Sequence, residues 1–132
     1  MARTVDSRFL LLHLVADTEE LKSRVRSKML ELRQEMAIVP TIVLHEVYKI
    51  EFQRFGREAA DLQLKSIESS GLKIEDLTVE IARIAAVLRS KYLDLPVASS
   101  IIAATAIVKG SKVVFSDDEQ LAKVKEIRTE WL

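Results

Sequence analysis

Acidic residues at three places in this chain, one of them an adjacent pair, stand where an ordinary solvated residue would not. Asp6 follows the short apolar pair Thr4-Val5 and precedes the apolar run that begins at Phe9. Glu46 has Ile42 and Val43 four and three residues before it, and Val47 and Ile50 one and four residues after it. That spacing sets a carboxylate in the apolar stripe of a helix, where desolvation is costly unless a cation or a donor compensates. Asp117 and Asp118 close the apolar triplet Val113-Val114-Phe115. In open parallel sheets, ligands bind beyond the carboxyl ends of the strands, which is where Asp6 and the Asp117-Asp118 pair would stand. Each acid has a structural alternative. Asp6 and one of Asp117 and Asp118 can cap the helices that follow, and Glu46 can turn outward or pair with Lys49. If the acids converge, their charges repel in a partly dry crevice. A hard divalent cation, Mg²⁺ or Mn²⁺, resolves that conflict. Such an ion polarises a phosphate and activates water, so the chemistry in view is metal-assisted phosphodiester hydrolysis.

The elements that must position these acids alternate along the chain. Thr4-Val5 reads as a short strand ending at Asp6, and Phe9 to Val15 as a buried helix. Asp17 and Glu20 make a capping-box-like start for a helix with Leu21, Val25, Met29, Leu32 and Met36 along one face. Ala37-Ile38-Val39 is a strand stopped by Pro40. Thr41 is the expected N-cap of a helix to about Phe55, which Gly56 breaks before another helix to about Ser70. Leu72-Lys73-Ile74 is a third strand. Thr78 caps a helix carrying Ile81, Ile84, Leu88 and Tyr92, and Pro96 sits in the first turn of the next. That helix is apolar all round and rich in small residues, so it lies buried, and it stops at Lys109-Gly110. Val113 to Phe115 is a buried strand, and Lys125 to Trp131 closes the sheet as an edge strand. Such alternation predicts an α/β domain, a mainly parallel sheet covered by helices on both faces.

Composition narrows the function classes. The chain has 132 residues, 48% of them hydrophobic and 30% charged, and no cysteine. That length fits one domain over residues 1–132. Without cysteine there is no disulfide framework, thiolate zinc site or cysteine nucleophile. Twenty Lys and Arg balance twenty Asp and Glu, so no bulk positive field holds a polyanion, and a local patch or metal ions must do so. The longest nearly uncharged run, Leu95 to Val108, is shorter than a membrane span, and Asp6 interrupts any signal-peptide pattern. The expectation is a cytoplasmic protein with no membrane partner. The absence of Asn, with only four Gln among many Lys, Arg and Glu, leans toward a thermophilic source. His13 and His45 are too few and too separated for a zinc site. No glycine-rich phosphate loop is present. Arg8, Lys49 and Arg54 fall near the expected crevice as phosphate contacts or as plain solubility residues.

Taken together, Val5-Asp6-Ser7, the segment Pro40 to Glu46, the segment Leu95 to Ala106 and the segment Gly110 to Asp117 resemble a PIN domain. The likeness is strongest to the small VapC-type toxins of toxin–antitoxin pairs. It covers nearly the whole chain in order and spacing. The resemblance implies a Rossmann-like α/β/α sandwich with a five-stranded parallel sheet. It also implies Mg²⁺- or Mn²⁺-dependent endoribonuclease activity on an RNA substrate, a homodimer and a small antitoxin partner. Carried over by position, Asp6 matches the family's first acid, Glu46 its second and Asp117 its fourth, with Asp118 one register off as the reserve. Ser7 matches the hydroxyl residue that follows the first acid. The third acid is absent, because its position holds Ser99. That hydroxyl can hydrogen-bond a water on the ion but brings no charge, and ligand charge sets affinity in oxygen sites. Reduced or lost activity is the alternative that Ser99 raises, leaving a module that binds RNA or protein.

Overall fold

Five short runs pair into one sheet in the computed structural model, which describes residues 2–132. They are β1 (Thr4–Val5), β2 (Ile38–Pro40), β3 (Lys73–Glu75), β4 (Val113–Phe115) and β5 (Arg128–Glu130), in the order β3-β2-β1-β4-β5. Every pairing is parallel. The helices are α1 (Ser7–Leu10), α2 (Glu19–Gln34), α3 (Thr41–Phe55), α4 (Arg57–Glu68), α5 (Val79–Lys91), α6 (Val97–Val108) and α7 (Glu119–Ala122). The expected α/β class and parallel sheet are what the chain adopts. Neighbouring strand residues point to opposite faces, and Thr4 with Val5, and Val114 with Phe115, are all fully buried. Both faces of the sheet are therefore covered. No helix among the described residues is long and apolar enough to cross a membrane.

The strand order reverses beside β1. The chain lays β2 and β3 to one side of β1, then returns to place β4 and β5 on the other. Such a switch point opens a crevice at the carboxyl ends of the two strands flanking it, here β1 and β4. On one face, Phe115 meets Phe9 edge-on at 5.1 Å and stacks on Trp131 at 5.0 Å. α6 packs against β1, β2 and β4. Its residues Ser99 to Ala106 are all buried, as its apolar, small-residue composition predicts.

Several local expectations are corrected. The run from Phe9 to Val15 is not one helix. It divides into α1 and a separate 3₁₀ turn over Leu12–Leu14. The cap of α2 is Thr18, whose hydroxyl accepts from the Leu21 N–H at 3.1 Å, and not Asp17. Thr41 is the first helical residue of α3, because Pro40 occupies the cap position with extended backbone as the last residue of β2. Pro96 likewise stands just outside α6, and α5 ends before Tyr92. Thr78 caps α5 as expected, at 3.2 Å from the Ile81 N–H.

Arg3 anchors the strand that carries Asp6. Its side chain is 11% exposed and reaches Glu31 at 2.5 Å, Glu35 at 2.6 Å and Glu130 at 3.2 Å. These acids come from α2, the turn after it and β5. The Glu35 bonds hold the Arg3 guanidinium firmly charged against the opposing effect of burial. Burial pushes Glu35 up, but the Arg3 bonds overcome it and leave its carboxyl below the usual range. Removing a partly buried charge from such a set strands its partners. Arg3→Met is expected to lower stability by about 3 kcal/mol in urea unfolding. Arg128→Met, which loses only the exposed pair with Glu130, should stay within about 0.5 kcal/mol of the native chain.

Candidate functional site

Two residues leave the sheet into the crevice from neighbouring strands. The β1–β4 register pairs Thr4 with Val114 and Val5 with Phe115, so Asp6 and Ser116 come next, side by side. Asp6 is 4% exposed and makes no capping bond to α1. Its Oδ2 accepts from the Ser116 hydroxyl at 2.5 Å. Ser116 in turn accepts from the Asp118 backbone N–H at 3.0 Å, which fixes the turn that presents Asp118.

Glu46 enters from α3. It is half-buried and bonded to Ser7, with no ion pair to Lys49. The Ser7 hydroxyl lies 3.0 Å from Glu46 Oε1 and 3.3 Å from Asp6 Oδ1. One hydroxyl carries one proton, so a single donor stands between two carboxylates. Burial is the largest influence on both acids. It raises Asp6 against the bonds from Ser116 and Ser7, and Asp118 adds repulsion. It raises Glu46 against the Ser7 bond, with Asp6 adding repulsion.

Asp118 is tied into the same hydroxyl network. Its Oδ1 caps α7 by accepting from the Gln120 N–H at 3.0 Å, and its Oδ2 accepts from the Ser99 hydroxyl at 3.3 Å. The preferred candidate Asp117 is exposed and turned the other way, into an ion pair with the Arg8 guanidinium. Strand alternation explains the difference. Val114, Ser116 and Asp118 share one side of the chain leaving β4, and Asp117 falls on the other. Arg8 is thus held beside the crevice, its charge favoured first by Asp117 and then by Asp118 and Asp6. Ser99 is 7% exposed in the first turn of α6 and faces Asp118. Lys49 is exposed on the rim of a cavity of about 460 Å³ that Ser7, Glu46 and Ala98 also line. Ser116 is the one member of this hydroxyl network that the sequence reading missed. Its signal was a hydroxyl residue immediately after a buried strand and two positions before an acid.

Among the described residues, no three His, Cys, Asp or Glu side chains form a group placed to hold an ion between them. The donor set nevertheless fits a hard cation. Mg²⁺ keeps several waters and takes one or two protein carboxylates, and among the described residues neither Asp6 nor Glu46 is paired with a cation.

The fold and this crevice define a Rossmann-like α/β domain whose acids gather at the switch point of a parallel sheet. The chain belongs to the PIN domain family, which it matches over residues 4–127. PIN domains are in general nucleases, and PIN nucleases in general use divalent metals. No curated protein matches the sequence significantly. Among solved structures, the chain is similar to VapBC2 from Rickettsia felis bound to a DNA fragment from its promoter, with a TM-score of 0.80 at 14% identity, covering 99% of this chain and 98% of that one. It is also similar to DNA-bound VapBC from Salmonella typhimurium, with a TM-score of 0.72 at 18% identity over 99% and 98% of the two chains. FitAcB from Neisseria gonorrhoeae has a TM-score of 0.74 at 19% identity over 96% and 94%.

The raised acids set a pH dependence. Asp6 and Glu46 keep protons to higher pH in the folded state than their ordinary values of 3.8 and 4.5. The stability they lend is complete below those values and is lost as pH rises through the raised ones. In EDTA, Asp6→Asn should therefore gain in Tm relative to the native chain as pH goes from about 4 to about 7. A Tm difference that stays flat or shrinks across that interval would show that Asp6 is stabilised as the anion.

Proposed function

We propose that this chain is a metal-dependent endoribonuclease, the toxin of a toxin–antitoxin pair, with Asp6, Glu46 and Asp118 as its acids. The observation that carries the reading is the single Ser7 hydroxyl lying between Asp6 and Glu46. A buried and a half-buried carboxylate that share this donor are favoured together by a proton or a cation between them. Asp6 and Glu46 would hold Mg²⁺ or Mn²⁺, with Asp118 and the Ser99 hydroxyl reaching its waters. A bound divalent ion polarises the phosphate and makes water a competent nucleophile at neutral pH.

The chain's own groups do the rest. Ser7 and Ser116 orient the carboxylate oxygens of Asp6, and Ser99 and the capping bond orient those of Asp118. Arg8, parked on Asp117, supplies a cation beside the crevice for an incoming phosphate. The amino end of α6, where Val97 and Ala98 line the cavity, adds unpaired N–H groups that suit an anion. Two of the similar structures are VapBC assemblies, and on that likeness we propose a small antitoxin partner and a homodimeric toxin in the cytoplasm. The rival reading, a weak or inactive domain that binds RNA or protein, draws on Ser99. This residue puts a neutral hydroxyl where the resemblance puts a third acid.

Calorimetric titration with Mn²⁺ separates the two. The native chain should bind Mn²⁺, Glu46→Ala should lose at least tenfold in affinity, and EDTA should abolish RNA cleavage. Ser99→Asp places a carboxylate beside Asp118. It should raise Mn²⁺ affinity and cleavage while lowering the Tm measured in EDTA. Cleavage that survives EDTA, or Mn²⁺ binding indifferent to Glu46, would overturn the nuclease reading.

A further inference from the structure

Glu51 is a buried acid that the proposed hydrolysis leaves unused. It continues the buried stripe of α3 formed by Val43 and Val47, and it is 4% exposed. A carboxylate so placed needs a donor or a charge to offset its lost water. Among the described residues its side chain has one such partner, His13, whose Nε2 lies 2.8 Å from Glu51 Oε1. His13 belongs to the 3₁₀ turn Leu12–Leu14, and its Nδ1 lies 2.9 Å from the Leu10 carbonyl oxygen. Both ring nitrogens therefore face acceptors. A carbonyl oxygen has no proton to give, so Nδ1 donates to Leu10. The contact with Glu51 then needs a second proton, on Nε2 or on the carboxyl. Without it, two lone pairs meet at a buried anion.

Little else holds the turn by hydrogen bonds. The others made by residues 12–17 close on neighbours three or four positions away. Among the described residues, the His13–Glu51 bond alone ties this stretch to another element. The charges around the ring are few. Arg33 of α2 lines the same cavity of about 200 Å³, to which α4 contributes only the uncharged Gln63, Ser66 and Ile67. On the other side of the turn, Leu12, Leu14 and Val15 line a cavity of about 400 Å³, whose charged members are Arg8, Arg54 and Asp117. Glu51 is the one charge in contact with the ring. We propose that His13 and Glu51 form a proton-dependent clasp, which fixes the turn after α1 to α3 and releases it when the shared proton leaves. Histidine is the side chain that ordinarily titrates between about pH 5 and 8. The clasp is closed at the acid end of that interval and open at the alkaline end. Release hydrates Glu51 and shifts Leu12, Leu14 and Val15, one wall of the cavity that holds the Arg8–Asp117 pair. The clasp uses none of the crevice acids, so it stands whether or not the chain cleaves RNA.

The test is amide hydrogen–deuterium exchange of the whole chain in EDTA, read by mass spectrometry at about pH 5.5 and about pH 8, the span of histidine titration. Protection factors remove the intrinsic pH dependence of exchange. Over residues 12–17, native protection should fall about tenfold or more from the lower pH to the higher, the worth of a hydrogen bond to a charged group. His13→Ala should be unprotected there at both. Glu51→Gln should be protected at both, because its amide donates to Nε2 of a neutral ring while Nδ1 still donates to Leu10. His45→Gln, which removes the other histidine, should keep the native fall. The His13 side chain is 45% exposed, and circular dichroism checks that each variant is folded.

Native protection over residues 12–17 that is equal at the two pH values overturns the clasp. So does a fall that persists in Glu51→Gln, since the proton responsible then lies elsewhere. A fall abolished by His45→Gln assigns the effect to the other histidine and also overturns it. His13→Ala protected like the native chain at the lower pH shows that packing alone holds the turn, with the same result.

Discussion

The acid crevice depends on how few protons serve it. Asp6 and Glu46 are brought together by elements 40 residues apart in the chain, and the donor between them is one serine hydroxyl. Burial raises both acids above their ordinary range, with repulsion from Asp118 added at Asp6 and from Asp6 at Glu46. The arrangement stores a preference for positive charge, which a proton satisfies in acid. Around this pair, the same device repeats in a milder form. Ser116 serves Asp6, Ser99 serves Asp118, and each hydroxyl orients a carboxylate without neutralising it.

The scaffold explains why this tension is held and not relieved by movement. Asp6 continues a central strand whose neighbours on both sides are buried, and α6 closes over β1, β2 and β4. Arg3, three residues before Asp6, ties the same strand to α2 and β5 through three carboxylates. The acids are therefore mounted on rigid elements, while Asp117 and Arg8 pair at the exposed rim. Two neighbouring aspartates thus have different surroundings: one caps a helix inside the network, and the other meets an arginine in solvent.

Much of this was legible in the residues. The five strand segments, the buried apolar helix and the convergence of Asp6 and Glu46 followed from apolar runs, glycine stops and a carboxylate in an apolar stripe. The errors were local. Asp17 and Thr41 are good capping residues by type, but Thr18 and Pro40 hold the cap positions, because the strand ending at Pro40 and the turn after the 3₁₀ segment set where each helix begins. Which of Asp117 and Asp118 faces the Ser99 and Ser116 hydroxyls is set by the side on which the chain leaves β4, which depends on pleating and not on distance from Gly110. Ser116 was invisible for a related reason: its role comes from standing opposite Asp6 in the sheet register, and register is a tertiary fact.

The central position of β1 has a consequence for the order of events in folding. This strand pairs with residues far along the chain, at Ile38 and at Val114. The bond between Ser116 and Asp6 spans 110 positions. Contacts so distant form late, so the crevice is completed only when β4 docks beside β1. A fold lacking only β4 and β5 would therefore hold Asp6 without the hydroxyl that orients it.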